Sequence, residues 1–186
     1  LGRSLRLICL GLFLTYFSRI SIGGLEGISL LLVRLVVTGV IGYLLLGSFK
    51  DNVKLAIALV LFSIFIGLAV SGIPAFETVR IPGVLQRLGV VYFFAAIVYL
   101  LLSLRNQFIF AAVILVGYWA VMTFIDVPGF GEGNYEKGSN LAAWVDGLIL
   151  KSHVWSESKP WDPEGILSTF PAIISCLLGT WCGRLM

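Results

Sequence analysis

The chain has 186 residues, of which 59% are hydrophobic and 12% charged, and its mean hydropathy is +1.01. That balance excludes a soluble globular domain and points to a polytopic membrane protein. The formal net charge of +3 follows from basic residues in loops, and no nucleic-acid partner is expected.

A helix that crosses the bilayer needs about 20 apolar residues. Runs of that order predict helices near Leu5 to Ile22, Ile28 to Phe49, Lys54 to Ser71, Pro82 to Leu104, Phe108 to Ile125 and Pro163 to Leu185. A transmembrane β-barrel would show alternating segments of about 10 residues, and these runs do not alternate. The expected fold is therefore all-α: a polytopic transmembrane bundle of about six spans, read as one domain over residues 1–186. The lipid bilayer is its first partner; homo-oligomerisation is left open.

In the first span only a short apolar stretch separates Arg6 from Arg19, whose side chains can snorkel to opposite interfaces. The first apolar run lacks a signal-peptide cleavage pattern. Because the chain starts at Leu1 and stops at Met186 just after a span, it reads as part of a longer polytopic protein. Arg34 lies within the second span, toward its outer end. Counting basic residues in short loops, an inside N-terminus places Arg3, Arg6, Lys50, Lys54, Arg105 and Arg184 on the cytoplasmic side. The segment 126–162 is then an extracytoplasmic loop.

The fourth span opens with Arg80-Ile81-Pro82-Gly83-Val84-Leu85-Gln86-Arg87-Leu88-Gly89. Charged and strongly polar side chains inside a bilayer are costly and mark a functional site or a buried partner. Along the outer loop, Val127 to Gly138 reads as irregular chain, and Gly129-Phe130-Gly131-Glu132-Gly133 as a turn. A phosphate cradle would need a preceding strand and a following helix. Ser139 or Asn140 can cap a short helix in which Leu141, Trp144, Val145 and Leu148 recur at helical spacing. With Trp144, Trp155 and Trp161 nearby, this helix is expected at the membrane interface, its Asp146 facing water or the arginines of neighbouring spans. His153 is the single histidine of the chain. It reads as structural or solvated unless a carboxylate or substrate lies within reach.

The last span opens with Trp161-Asp162-Pro163-Glu164-Gly165. Asp162 is placed to cap the helix, Pro163 suits its first turn and Glu164 complements its positive end. Glu164 also enters the membrane at the same face as Arg80, Gln86 and Arg87, so an ion-paired cluster joined by Arg34 is expected there. Cys9, Cys176 and Cys182 lie in or beside apolar spans, without a disulfide framework or zinc-ligand spacing; no metal is expected. Gly179 and Gly183 have the spacing that lets helices approach closely.

The stretches RIPGVLQRLGVVYF and WDPEGILSTFPAIISCLLGTWCG together closely resemble the heparan-alpha-glucosaminide N-acetyltransferase family of membrane acyltransferases, including its bacterial relatives. Asn140, Val145-Asp146 and His153-Val154-Trp155 occur between them in the family's order and approximate spacing, and the similarity runs from roughly Phe76 to Gly183. The resemblance implies an integral membrane enzyme, placed in a bacterial inner membrane, while the count of basic residues sets its N-terminus inside. Such an enzyme takes an acetyl group from cytosolic acetyl-CoA, the acyl donor, and delivers it to an amino sugar or related saccharide acceptor outside. The family's proposed catalytic histidine lies in an earlier loop, and no counterpart stands between Leu1 and Arg80. His153 matches a different family position.

Acyl transfer to an amine needs a neutral nucleophile, a general base and donors for the developing oxyanion. Glu164, Asp162 and His153 are the candidate catalytic groups. Arg80, Gln86, Arg87, Asn140 and Asp146 are candidate substrate contacts. The alternative is a transporter or channel for a small polar solute, since paired intramembrane charges also line solute paths. An inverted internal repeat would favour it, and the two polar blocks share no common pattern.

Overall fold

The structure is a computed structural model that describes residues 1–21 and 24–186. The described helices are α1 (Gly2–Phe17), α2 (Gly27–Leu46), α3 (Asp51–Ala69), α4 (Val84–Leu101), α5 (Leu104–Phe124), α6 (Leu141–Leu150) and α7 (Ile166–Leu185), with a 3-10 turn at Ser156–Ser158. Among the described residues there is no strand. α2, α3, α4, α5 and α7 are each long and apolar enough to cross a membrane, which makes the chain an integral membrane helix bundle. α1, with 16 residues, is shorter than the predicted first span; the expected end of that span at Ile22 lies outside the described residues.

The helices gather into two compact units, Leu1–Gly89 and Val90–Met186. In the first, α1 packs along α3. Leu12, Phe13 and Tyr16 of α1 are buried with Phe65 of α3 and Val79. The Tyr16 hydroxyl donates to the Phe65 carbonyl at 2.6 Å, and the two rings stack with centroids 5.3 Å apart. The start of α4 approaches α1 at backbone range: a Cβ on Gly89 would lie 2.8 Å from the Ser4 carbonyl oxygen. Close approach is thus made at Gly89 and not at Gly179 or Gly183, beside which a Cβ would meet nothing within 4 Å.

Arginines close the ends of the first helix pair. Arg6 on α1 donates to the Leu45 carbonyl near the end of α2 at 3.2 Å. Arg34 on α2 donates to the Ser18 and Ile20 carbonyls just past α1, both at 2.9 Å, so the two helices run antiparallel. The last carbonyls of a helix have no partner within it and carry its negative pole. This explains why Arg34 faces α1: its donors are taken up there, and it sits 5.8 Å over the Phe17 ring.

In the second unit, Val91, Ala95 and Val98 of α4, Ala111 of α5 and Ile173, Ile174, Leu177 and Trp181 of α7 form the core. A buried amide ties it together. Gln107 donates to the Leu102 carbonyl at 2.9 Å and the Tyr99 carbonyl at 3.2 Å, at the end of α4, and accepts from the Trp181 indole at 2.8 Å. α5 begins four residues before its predicted start because Ser103 caps it, accepting the Asn106 N–H.

Candidate functional site

The segment between α5 and α7 is folded rather than irregular. Val127 and Gly131 pair across a tight turn, with Gly129 and Gly131 at φ of 85° and 82°, a left-handed conformation that glycine adopts without a Cβ penalty. The glycine run is therefore a closed turn, as its composition suggests. Asn140 caps α6 by accepting the Ala143 N–H at 2.9 Å, as expected of the cap position. Leu141 then packs with Met122 at the end of α5, Val127 and the flanking Leu167 of α7.

The third residue after Ala143 brings a charge inward. Asp146 is 2% exposed, and both its oxygens accept backbone N–H groups: Oδ1 from Ile166 at 2.9 Å and Oδ2 from Asp162 at 3.2 Å. From the sequence Asp146 is expected to face water or arginines; instead it faces the backbone amides of Asp162 and Ile166, just before and at the start of α7. Burial pushes its carboxyl above the ordinary carboxylate range; the two N–H bonds pull it back, and the nearby Asp162 carboxylate adds to the rise.

Asp162 is 3% exposed and repeats the pattern one step on. Its Oδ2 accepts the Trp155 N–H at 2.8 Å and its Oδ1 the Glu164 N–H at 3.0 Å, while its carbonyl accepts the Gly165 N–H at 2.9 Å. Asp162 therefore closes a turn over 162–165 and does not cap α7 directly. Helix α7 begins at Ile166, not Pro163, and its first N–H is capped by the carboxylate of Asp146. Gly165 is the residue that permits this, since a Cβ built there would fall on the Asp146 carboxylate. Asp at the first, Pro at the second and Gly at the fourth position are the type I turn signature; that signal stands in Asp162-Pro163-Glu164-Gly165.

Asp162 holds Glu164 by its backbone N–H, Asp146 holds Asp162 and Ile166 on either side of it, and the Glu164 side chain is half-buried. His153 is half-buried too, and its backbone N–H donates to the Leu150 carbonyl at 2.9 Å. The structure thus ties Asp146, Asp162 and Glu164 into one network, with Asn140 and His153 at either end of α6. Arg80, Gln86 and Arg87 fall in the other compact unit. There Gln86 is buried and its amide packs on the bare backbone of Gly11 and Gly83, where a Cβ would collide with it. Among the described residues no three His, Cys, Asp or Glu side chains gather as metal ligands.

Fold and site together define a class: an integral membrane protein of packed apolar helices with an acidic, backbone-anchored turn at the mouth of one span. The chain is similar to heparan-alpha-glucosaminide N-acetyltransferase from Homo sapiens, 33% identical over 156 aligned positions covering 60% of this chain and 23% of that protein. It is also similar to heparan-alpha-glucosaminide N-acetyltransferase from Mus musculus, 28% identical over 60% of this chain and 24% of that one. The matches agree with the resemblance carried by the two polar blocks and make the chain a partial relative, spanning about a quarter of the length of the curated relatives it matches. No family model matches the chain, and no solved structure does.

Proposed function

We propose that this chain is part of a membrane acetyltransferase that moves an acetyl group from cytosolic acetyl-CoA to an amino sugar or related saccharide across the membrane. The observation that carries the reading is the 33% identity to a protein named as an N-acetyltransferase. In this reading the protein sits in a bacterial inner membrane, its N-terminus inside and the α5–α7 segment outside, with acetyl-CoA as donor substrate.

The acceptor amine attacks the acyl carbon, the bond from that carbon to its leaving group breaks, and the amine loses a proton. Glu164 takes that proton as general base, with His153 the second candidate. An ionised carboxylate that is only half-buried can both accept a proton and be reached by an acceptor. Within the second unit the amide of Asn140 is a donor for the acceptor's hydroxyls or the developing oxyanion; Arg80 and Arg87 are candidate acceptor contacts on the first. Asp146 and Asp162 act one step back: with their oxygens on backbone N–H groups, they hold the turn that carries Glu164.

The test is transfer of labelled acetyl from acetyl-CoA to glucosamine and simple glucosaminides by the full-length protein in sealed vesicles. Label on sugar across the membrane, lost in Glu164→Gln and Arg87→Ala, is the expected result. No label on any amino sugar with folded protein would overturn the reading, and solute flux in its place would identify a transporter.

A further inference from the structure

The remaining unassigned surface of the second unit is the outer face of α6. Nine of the ten residues in Leu-Ala-Ala-Trp-Val-Asp-Gly-Leu-Ile-Leu are apolar or glycine, yet the lone acid points inward. Trp144 and Leu148, four residues apart and so on one face, are 41% and 59% exposed, and Ile149 is 58% exposed. Beside them lies an open cleft of about 260 Å³ walled by Val127, Phe130, Trp144, Leu148 and Pro160. Water does not favour so continuous an apolar surface.

Connectivity says what covers it. α5 and α7 are long, apolar helices of span length, and α6 is fastened to the ends of both. Its Asp146 carboxylate takes the first N–H of α7, and its Leu141 is buried with Met122 in the last turn of α5. The inner face of α6 is therefore fixed at the level where the spans leave the hydrocarbon. Those spans also carry exposed apolar side chains near these ends, Phe124 and Ile125 where α5 stops and Phe170 soon after α7 begins. An indole at such a boundary has its apolar ring and its N–H each in a suitable medium.

We propose that α6 is an interfacial helix whose outer face, with Trp144 and Leu148 at its centre, rests on phospholipid at the headgroup–acyl boundary. The bilayer then clamps the segment from outside while Asp146 clamps it from within. This inference is independent of the enzymatic reading.

The experiment places a photoreactive benzoylphenylalanine at Leu148, and separately at the exposed Glu136 as a control, in the full-length protein in phosphatidylcholine–phosphatidylglycerol vesicles. Mass spectrometry after illumination is expected to find a phospholipid adduct at Leu148 and none at Glu136. Crosslinking of Leu148 to a second copy of the chain, or no more lipid adduct there than at Glu136, would overturn the proposal. A spin label at Leu148→Cys gives a second measure that tolerates poor crosslinking: relaxation by oxygen is expected to exceed that by a water-soluble nickel complex, and the reverse order would also overturn it.

Discussion

Asp146 and Ile166, twenty positions apart, meet in a 2.9 Å hydrogen bond in which the α6 carboxylate accepts the first N–H of α7. Gly165 lies against this contact, and its bare Cα leaves room for the carboxylate. Gly165→Ala is therefore expected to displace Asp146 from α7 and to cost about 1–3 kcal/mol, the usual penalty of overpacking. Gly147→Ala is the matched control, since its Cβ would meet the Pro160 oxygen at an ordinary 3.7 Å. Thermal unfolding of both variants in nanodiscs checks this; equal stability would show that the carboxylate is not confined.

The same aspartate gives the segment a pH response. Its carboxyl is raised by burial first and by Asp162 last, above an ordinary value of about 3.9. The folded protein then holds this proton more tightly than the unfolded chain. Its contribution to stability is complete below the unfolded pKa and is lost as pH rises through the folded one. Asp146→Asn does not ionise and is expected to flatten that decline. Unfolding temperatures across the acidic to neutral range would decide it, and an unchanged slope in the variant would assign the decline to other groups.

Gln107 and Trp181 offer a test inside the second core. Gln107→Leu leaves the Trp181 indole N–H and two helix-end carbonyls without their amide, at a cost of about 1–3 kcal/mol. Trp181→Phe removes the donor and is expected to soften that loss. A double-mutant cycle should return a coupling in the range measured within bilayers, roughly 0.6–1.7 kcal/mol; strict additivity would mean that the bond contributes nothing.

At the first helix pair, Arg34→Ala uncovers the carbonyls of Ser18 and Ile20. Bonds from a charged donor contribute about 1.5–3 kcal/mol, so a loss of that order is expected. Arg34→Lys should recover only part of it, because an ammonium does not reproduce the guanidinium's spread of donors. Susceptibility of the α1–α2 segment to proteolysis provides the readout, with protection unchanged in Arg34→Ala as the contrary result.

The spans were legible in the sequence because apolar runs of bilayer length have few other uses; α2, α3, α4, α5 and α7 all follow such runs. The Asn140 cap was legible for a related reason, since it acts on an amide three residues away. Asp146 was not, because its partners are backbone N–H groups, which no residue letter encodes, sixteen and twenty positions ahead. The periodicity of α6 marked Leu141, Trp144, Val145 and Leu148 as its apolar face, yet Trp144 and Leu148 are exposed while Asp146 is buried. In so apolar a helix, spacing identifies a face but not the medium it meets. Gln107 carries no signal in the sequence, because a polar residue next to Ser103, Arg105 and Asn106 looks like part of a loop. Asp162 closes a turn where a cap is expected because aspartate, proline and glycine serve both helix starts and turns, and the fourth-position glycine selects the turn.

The reciprocal arginines also bear on how the chain enters the membrane. An arginine at the centre of a lone inserting helix costs about 2.5–3.5 kcal/mol on translocon scales. Arg34 finds its acceptors on Ser18 and Ile20, and Arg6 finds one on Leu45 besides the Gly2 carbonyl of its own helix, so each charge gains acceptors from the neighbouring segment. All those acceptors except Leu45 precede Arg34 in the chain and leave the ribosome before it. Insertion as a hairpin, with α1 held beside the translocon until α2 is complete, spares each helix from carrying a bare guanidinium into lipid.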